Sequence, residues 1–212
     1  MAGNKPEEEK ETEKSVDSTS AEVPDLLIKH PLNNSWSLWY FENDKKKTWL
    51  QNLKEITSFD TVEDFWSVYN HIKAASELKP GCDYCLFKKG IRPMWEDAAN
   101  KQGGRWLISL EKKHRTSELD NFWLEILLLM IGEAFEEHTD EVCGATVNIR
   151  PKMDKIGLWT ANADKSKQDT VLAIGRKIKE RLKLPLNQPI HYQSHSDSAV
   201  KNSTVIKSIY SI

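Results

Sequence analysis

Cysteine is scarce in this chain: Cys82, Cys85 and Cys143 are the only three among 212 residues. So few, and an odd number, exclude a disulfide framework and lead us to expect a reducing compartment, with the cytosol as the default. No apolar run approaches the length of a membrane span. An excess of one charge is missing too, since 30 Lys and Arg face 32 Asp and Glu. That balance argues against a non-specific nucleic-acid binder, so any nucleic acid is expected at a small, specific site. There is no nucleophile elbow, no phosphate-binding Walker loop and no His-Glu-x-x-His pair, which makes an enzyme the weaker class. No internal repeat is visible.

The charge that is present is unevenly spread. Residues 1–25 hold eight acids and three lysines with almost no large apolar side chain. Such a stretch cannot bury enough surface to offset its ordering entropy, and it reads as a disordered tail. It is not a transit peptide, being acidic. The rest, with 27 basic and 24 acidic residues, is mildly positive and long enough for one good core. The expected division is a tail over 1–29 and a single domain over 30–212, mobile again near 198–212.

Tryptophan is what the chain has in abundance, at eight residues. Trp36, Trp39, Trp106 and Trp123 sit in apolar runs and read as structure. Trp49 and Trp95 have polar flanks, Asp44-Lys45-Lys46-Lys47-Thr48 before one and Glu96-Asp97 after the other. A large ring left wet is costly and suits a flat partner such as a nucleobase, a cationic base above all.

Strands are expected at Trp36–Phe41, Leu53–Ile56, Cys82–Phe87, Arg105–Leu110, Ala145–Arg150, Lys155–Thr160 and Ile190–Gln193. Thr61, with Asp64 three residues on, opens a helix whose buried stripe is Phe65, Val68, Tyr69 and Ile72. Ser117, with Asp120, is read as the cap of a second helix. Its apolar face is Leu119, Phe122, Trp123, Ile126, Leu127, Met130, Ile131 and Ala134. A third helix covers about Asp169 to Leu182, with Val171, Leu172, Ile178 and Leu182 inward. Strand pairs interrupted by single helices imply an α+β fold, an antiparallel sheet with helices on one face and the other face open for a site.

Several constellations could carry chemistry. Trp49 and Trp95 could stack on the two faces of a base. Glu96 beside them offers two acceptors, which suits the N1–H and N2–H₂ edge of guanine. Arg105, Arg150, Lys152 and Lys155 are cationic candidates for phosphates, with Arg150 and Lys152 on one strand face by period two. The bland alternative is a pair of core lids with solvated charges around them. On the second helix Leu124, Leu128 and Gly132 lie off the core stripe with Glu125 beside them, and on the first Val62 and Trp66 do. Such strips fit a partner helix, unless a segment such as His30-Pro31-Leu32 covers them. Cys82-x-x-Cys85 would put its thiols on opposite strand faces, which defeats chelation, and no second pair follows. Ser194, His195 and Asp197 are too close in sequence to make a triad on that ground.

The ordered set His30-Pro31-Leu32, Trp36-x-Leu38-Trp39, Lys47-Thr48-Trp49, Thr61–Trp66, Pro80-Gly81-Cys82-Asp83-Tyr84, Pro93–Asp97, Gly103–Trp106, Phe122–Glu125, Val142–Ala145 and Tyr192–His195 resembles eukaryotic translation initiation factor 4E, the messenger-RNA cap-binding family. The resemblance runs from His30 to the C-terminus. It implies a curved sheet of eight antiparallel strands, three helices on the convex face and a 7-methylguanosine slot on the concave face. It gives Trp49 and Trp95 the base-stacking role, Glu96 the guanine edge and Trp159 the N7-methyl contact. It gives Arg105, Arg150, Lys152 and Lys155 the phosphates. It assigns His30, Pro31, Leu32, Val62, Trp66, Leu124, Glu125, Leu128 and Gly132 to a site for the scaffold factor 4G and for 4E-binding proteins carrying a Tyr-x₄-Leu-hydrophobic helix. Ser203 and Thr204 fall where the family carries a phosphoacceptor. Pro151 and Met153 depart from the family pattern in the phosphate segment. The implied protein is a monomeric, non-enzymatic adaptor without metal or cofactor and away from membranes, in the cytoplasm with the nucleus as a second location. A cap-binding repressor paralogue and a cap-hydrolysing enzyme are the competing readings.

Overall fold

The computed structural model describes residues 1, 3, 28–200 and 208–212, with side chains omitted at 198–200. Eight strands form one antiparallel sheet: β1 (Pro31–Phe41), β2 (Leu53–Thr61), β3 (Asp83–Lys88), β4 (Gly104–Glu111), β5 (Val142–Asn148), β6 (Met153–Thr160), β7 (His191–Ser194) and β8 (Tyr210–Ser211). Their order across the curved sheet is β2-β1-β3-β5-β6-β4-β7-β8. Three longer helices, α2 (Val62–His71), α3 (Asp120–Ile131) and α4 (Gln168–Arg181), accompany two short ones, α1 (Trp49–Asn52) and α5 (His195–Val200).

Strand alternation divides the chemistry between the two faces. Trp36 and Leu38, Leu86, Trp106 and Ile108, Ala145 and Val147, and Ile156 and Leu158 join Phe65, Trp123, Ile126, Ile174 and Ile178 of the helices in one core. The intervening residues point the other way. Cys85, Phe87, Cys143 and Trp159, with Trp39, Ile91 and Ala161 against them, form a smaller cluster there. Cys82 therefore lies in the helix-side core and Cys85 in the other cluster, on opposite faces as the strand period requires. Burial pushes the Cys85 thiol well above its ordinary pKa and the Cys143 thiol up to about 12.

Three local expectations are corrected. Strand β2 runs on to Thr61, past the expected end at Ile56, because it pairs with β1 along most of its length. Ser117 caps nothing: it sits inside a π-helical turn, Arg115–Leu119, and its hydroxyl donates to the His114 carbonyl at 3.3 Å. Asp120 instead accepts from the Ser76 backbone at 2.9 Å and from its hydroxyl at 2.5 Å. Strand β5 stops at Asn148, so Arg150 and Lys152 share no strand face and lie in the turn to β6. Residues 208–212 return to the sheet. Tyr210 and Ser211 pair with β7, and Ile190 and Ile212 exchange backbone hydrogen bonds at 3.0 and 3.2 Å.

Thr61 does cap α2, accepting from the Asp64 N–H at 3.2 Å and donating to its carboxylate at 2.8 Å. The tail over 1–29 lies almost wholly outside the described residues.

Candidate nucleotide slot and dorsal surface

On the face away from the three longer helices, a cleft of about 360 Å³ is lined by Phe41, Trp49, Leu53, Asp83, Cys85, Pro93–Glu96, Arg105, Thr146, Asn148 and Trp159. That volume suits a purine nucleoside. Trp49 and Trp95 reach it from two unconnected segments and stay 47% and 44% exposed, a large apolar area without cover.

Each ring stands on a braced segment. Trp49 is the first residue of α1, capped by a reciprocal box: Thr48 Oγ1 accepts from Gln51 N at 3.3 Å, and Gln51 Oε1 accepts from Thr48 N at 2.8 Å. Buried Asn52 donates to the Asp44 and Thr48 carbonyls at 3.0 and 3.1 Å. The Trp49 ring rests against Phe41, centroids 5.8 Å apart. The Trp95 loop is tied by Asp97, which accepts from the Arg92 and Ala99 backbones at 3.1 and 3.0 Å. Fully buried Asn100 donates to the Arg92 and Met94 carbonyls at 2.9 Å each. Glu96 is exposed on the wall beside Trp95 and has no hydrogen-bond partner among the described residues, leaving both carboxylate oxygens open.

Trp159 forms the floor at 6% exposure. It meets Phe87 edge-on at 5.4 Å and lies 4.1 Å from the His195 ring. The Arg105 guanidinium lies 5.9 Å from the Trp159 ring centroid. Burial holds the Arg105 pKa below its ordinary value. Burial, and secondarily the Arg105 charge, pushes His195 down to about 3, so His195 is neutral there.

A second depression, of about 600 Å³, adjoins the cleft through the shared residues Arg105 and Asn148, and Leu107, Arg150, Pro151, Lys152, Met153 and Lys155 complete it. All four expected phosphate cations thus line one basin, although the strand-face reason expected for two of them fails. The Arg150 guanidinium is forked onto the Asp83 carboxylate at 2.5 and 3.1 Å. Asp83 raises the Arg150 pKa, and burial pushes the Asp83 carboxyl up against that pairing. Two residues missed in the sequence stand behind this turn. Asp154, fully buried, takes forked bonds from Arg115 at 2.5 and 2.6 Å. No periodicity or motif marks either one.

On the helix face, Val62 and Trp66 remain 36% and 37% exposed. Trp66 packs edge-on against Phe65 and Tyr69 at 5.0 and 6.0 Å. The start of β1 joins them to α3. The His30 carbonyl accepts from Val62 N at 2.9 Å, the His30 ring meets Glu63 at 2.6 Å, and Asn33 and Asn34 both donate to Glu133 just beyond α3. Leu32, Leu124 and Leu128 pack on the core edge while half exposed. Gly132 is the exposed C-cap of α3, and Glu125 pairs with Arg181 at 2.6 Å. The His30–Leu32 segment therefore borders the strip without covering it. Ser203 and Thr204 lie outside the described residues.

The family model for Eukaryotic initiation factor 4E matches residues 31–209. Eukaryotic translation initiation factor 4E of Homo sapiens is 55% identical over 197 residues, covering 93% of this chain and 90% of that protein. The Xenopus laevis protein of the same name is 57% identical over 201 residues, covering 95% and 91%. The solved structure of Ascaris suum initiation factor 4E-3 with an m2,2,7G cap superposes with a TM-score of 0.81 at 48% identity, covering 87% of this chain and 99% of that one. Caenorhabditis elegans 4E-3, solved with the 4E-binding protein Mextli and a cap analog, gives 0.80 at 45% identity, covering 87% and 100%.

Proposed function

Because this chain belongs to the eukaryotic initiation factor 4E family, we propose that it binds the 7-methylguanosine cap of messenger RNA in the slot and a helical partner peptide on the opposite face. The observation that carries this reading is two half-exposed tryptophans lining one cleft, with an open carboxylate beside them and a basic basin next door. Methylation at N7 makes guanine cationic, so the sandwich gains a cation–π term that plain guanine lacks. Glu96 then takes the N1–H and N2–H₂ edge, and Trp159 meets the methyl group. Arg105, Arg150, Lys152 and Lys155 take the phosphates, the Arg forks suiting them best.

The dorsal strip from His30 through Val62 and Trp66 to Leu124, Glu125, Leu128 and Gly132 takes the partner, the scaffold factor 4G or a 4E-binding protein. Relatives solved with Mextli and with 4E-BP support this part. In this reading the chain is an adaptor that works in the cytoplasm, with the nucleus as a second location. Tryptophan fluorescence titrated with 7-methyl-GTP and with GTP tests the slot. A clear preference for the methylated nucleotide is expected, and equal affinities would sink the cationic sandwich. A repressor paralogue would bind cap without factor 4G peptide, and product analysis on capped RNA would expose hydrolysis.

A further inference from the structure

The basic basin has a structural problem. Arg150 and Lys152 sit two residues apart in a turn, with Lys155 close behind, and like charges at such spacing repel. Within the turn Arg150 Nη1 donates to the Ile149 carbonyl at 2.9 Å, and the Asn148–Lys155 pair of the β5–β6 ladder closes its base. A further restraint comes from beneath. Asp154 Oδ1 accepts from the Arg150 backbone N–H at 3.0 Å, while Arg115 Nη2 donates to the Arg150 carbonyl at 2.7 Å. The two clamping side chains are forked onto each other. Arg150 is therefore gripped on both sides of its main chain by one nearly buried ion pair, with Arg115 12% and Asp154 0% exposed.

Arg115 reaches this position from a π-helical turn ahead of α3, an irregularity common at functional sites. A buried pair is weak evidence of stabilisation, because its desolvation cost rivals its attraction. It is better explained by what it orients.

We propose that Asp154 and Arg115 are positioning residues for phosphate recognition, setting the backbone of Arg150 so that its guanidinium faces the phosphate chain. This rests on the slot reading above, and its test separates the two. Binding of 7-methylguanosine mono-, di- and triphosphate is measured by calorimetry for the wild type, Asp154→Asn, Arg115→Lys and the double variant Arg115→Met/Asp154→Leu. The double variant replaces the pair with apolar groups of similar size and so preserves packing. In the wild type, affinity should climb with each phosphate. In the variants the monophosphate should bind nearly as before, while the gain from mono- to triphosphate should shrink about tenfold, the worth of one charge-assisted hydrogen bond. Arg115→Lys should recover part of that gain. An undiminished gain in the double variant, or an equal loss for all three nucleotides in folded protein, would overturn the positioning role. Failure of the wild type to bind any of the three would instead overturn the slot reading.

Discussion

Truncating Trp49 to Ala should reduce binding of 7-methyl-GTP more than binding of GTP. The ring is 47% exposed and its one aromatic neighbour among the described residues is Phe41, so the cost to the fold is small, about 1 kcal/mol for the lost ring contact. Alanine is also a good residue at this helical position, and the Thr48–Gln51 box that caps α1 does not involve the ring. The binding cost is larger. One stacking face is worth about 1–3 kcal/mol for any base. The cation–π part, about 0.5–2 kcal/mol according to desolvation, belongs to the methylated base alone. The preference for 7-methyl-GTP over GTP should therefore narrow by about 2- to 30-fold, and Trp49→Phe should restore most of the stacking. Calorimetry is the suitable assay, because the variant removes a reporting fluorophore. Equal losses for both nucleotides would refute the cationic contribution at Trp49. No loss for either would remove Trp49 from the site.

Other outcomes follow from the same geometry. Trp66→Ala should weaken a Tyr-x₄-Leu-hydrophobic helical peptide by about 2 kcal/mol or more, as an exposed aromatic anchor does, and leave 7-methyl-GTP binding unchanged; parallel losses would make Trp66 core. His195, held neutral by burial with a pKa of about 3 against an ordinary 6.5, binds its proton more readily in the unfolded chain. Its contribution is fully present above pH 6.5 and is lost as pH falls toward 3, by at most about 1.4 kcal/mol per unit. His195→Gln should flatten the acid limb of urea-unfolding stability in that window, and an unchanged limb would refute the assignment. Gly175→Ala should lower the melting temperature. Alanine normally gains about 1 kcal/mol over glycine inside a helix, but this Cβ would overlap the Trp106 ring and stand 2.9 Å from Ile212 Cδ1, an overpacking cost of about 1–3 kcal/mol. A stabilised variant would show that the ring has room to move.

Much of the slot was legible because its residues break local expectation. Trp49 and Trp95 stood out as large rings with polar flanks, and the helical angle separated Trp66, Leu124 and Leu128 from their core stripes. The Thr48-x-x-Gln51 capping box is equally visible in the sequence and marks Trp49 as the start of a helical turn. A Ser three residues before an Asp looks like a cap wherever it occurs, and no local pattern marks the π turn Arg115–Leu119 that holds Ser117 instead. Strand β5 was drawn too long for a similar reason. Alternation persists through Ile149, whose buried side chain continues the pattern after the ladder has ended.

Periods of two and 3.6 are local properties, and the residues alone determined which side chains face the helices and which face the open side. What they did not determine is which of those side chains meet. Trp49, Trp95, Arg105 and Trp159 come from four separate segments, and they share one cleft because β1 pairs with β3, β3 with β5, β5 with β6, and β6 with β4. Arg115 and Asp154 lie 39 residues apart, and their bond is made only when the β4–β6 pairing brings both strand ends together. The return of residues 210–211 to β7 is of the same kind. Such pairings are settled by burial summed over the whole sheet against the entropy of closing the loops between strands, and no short window of sequence carries that sum.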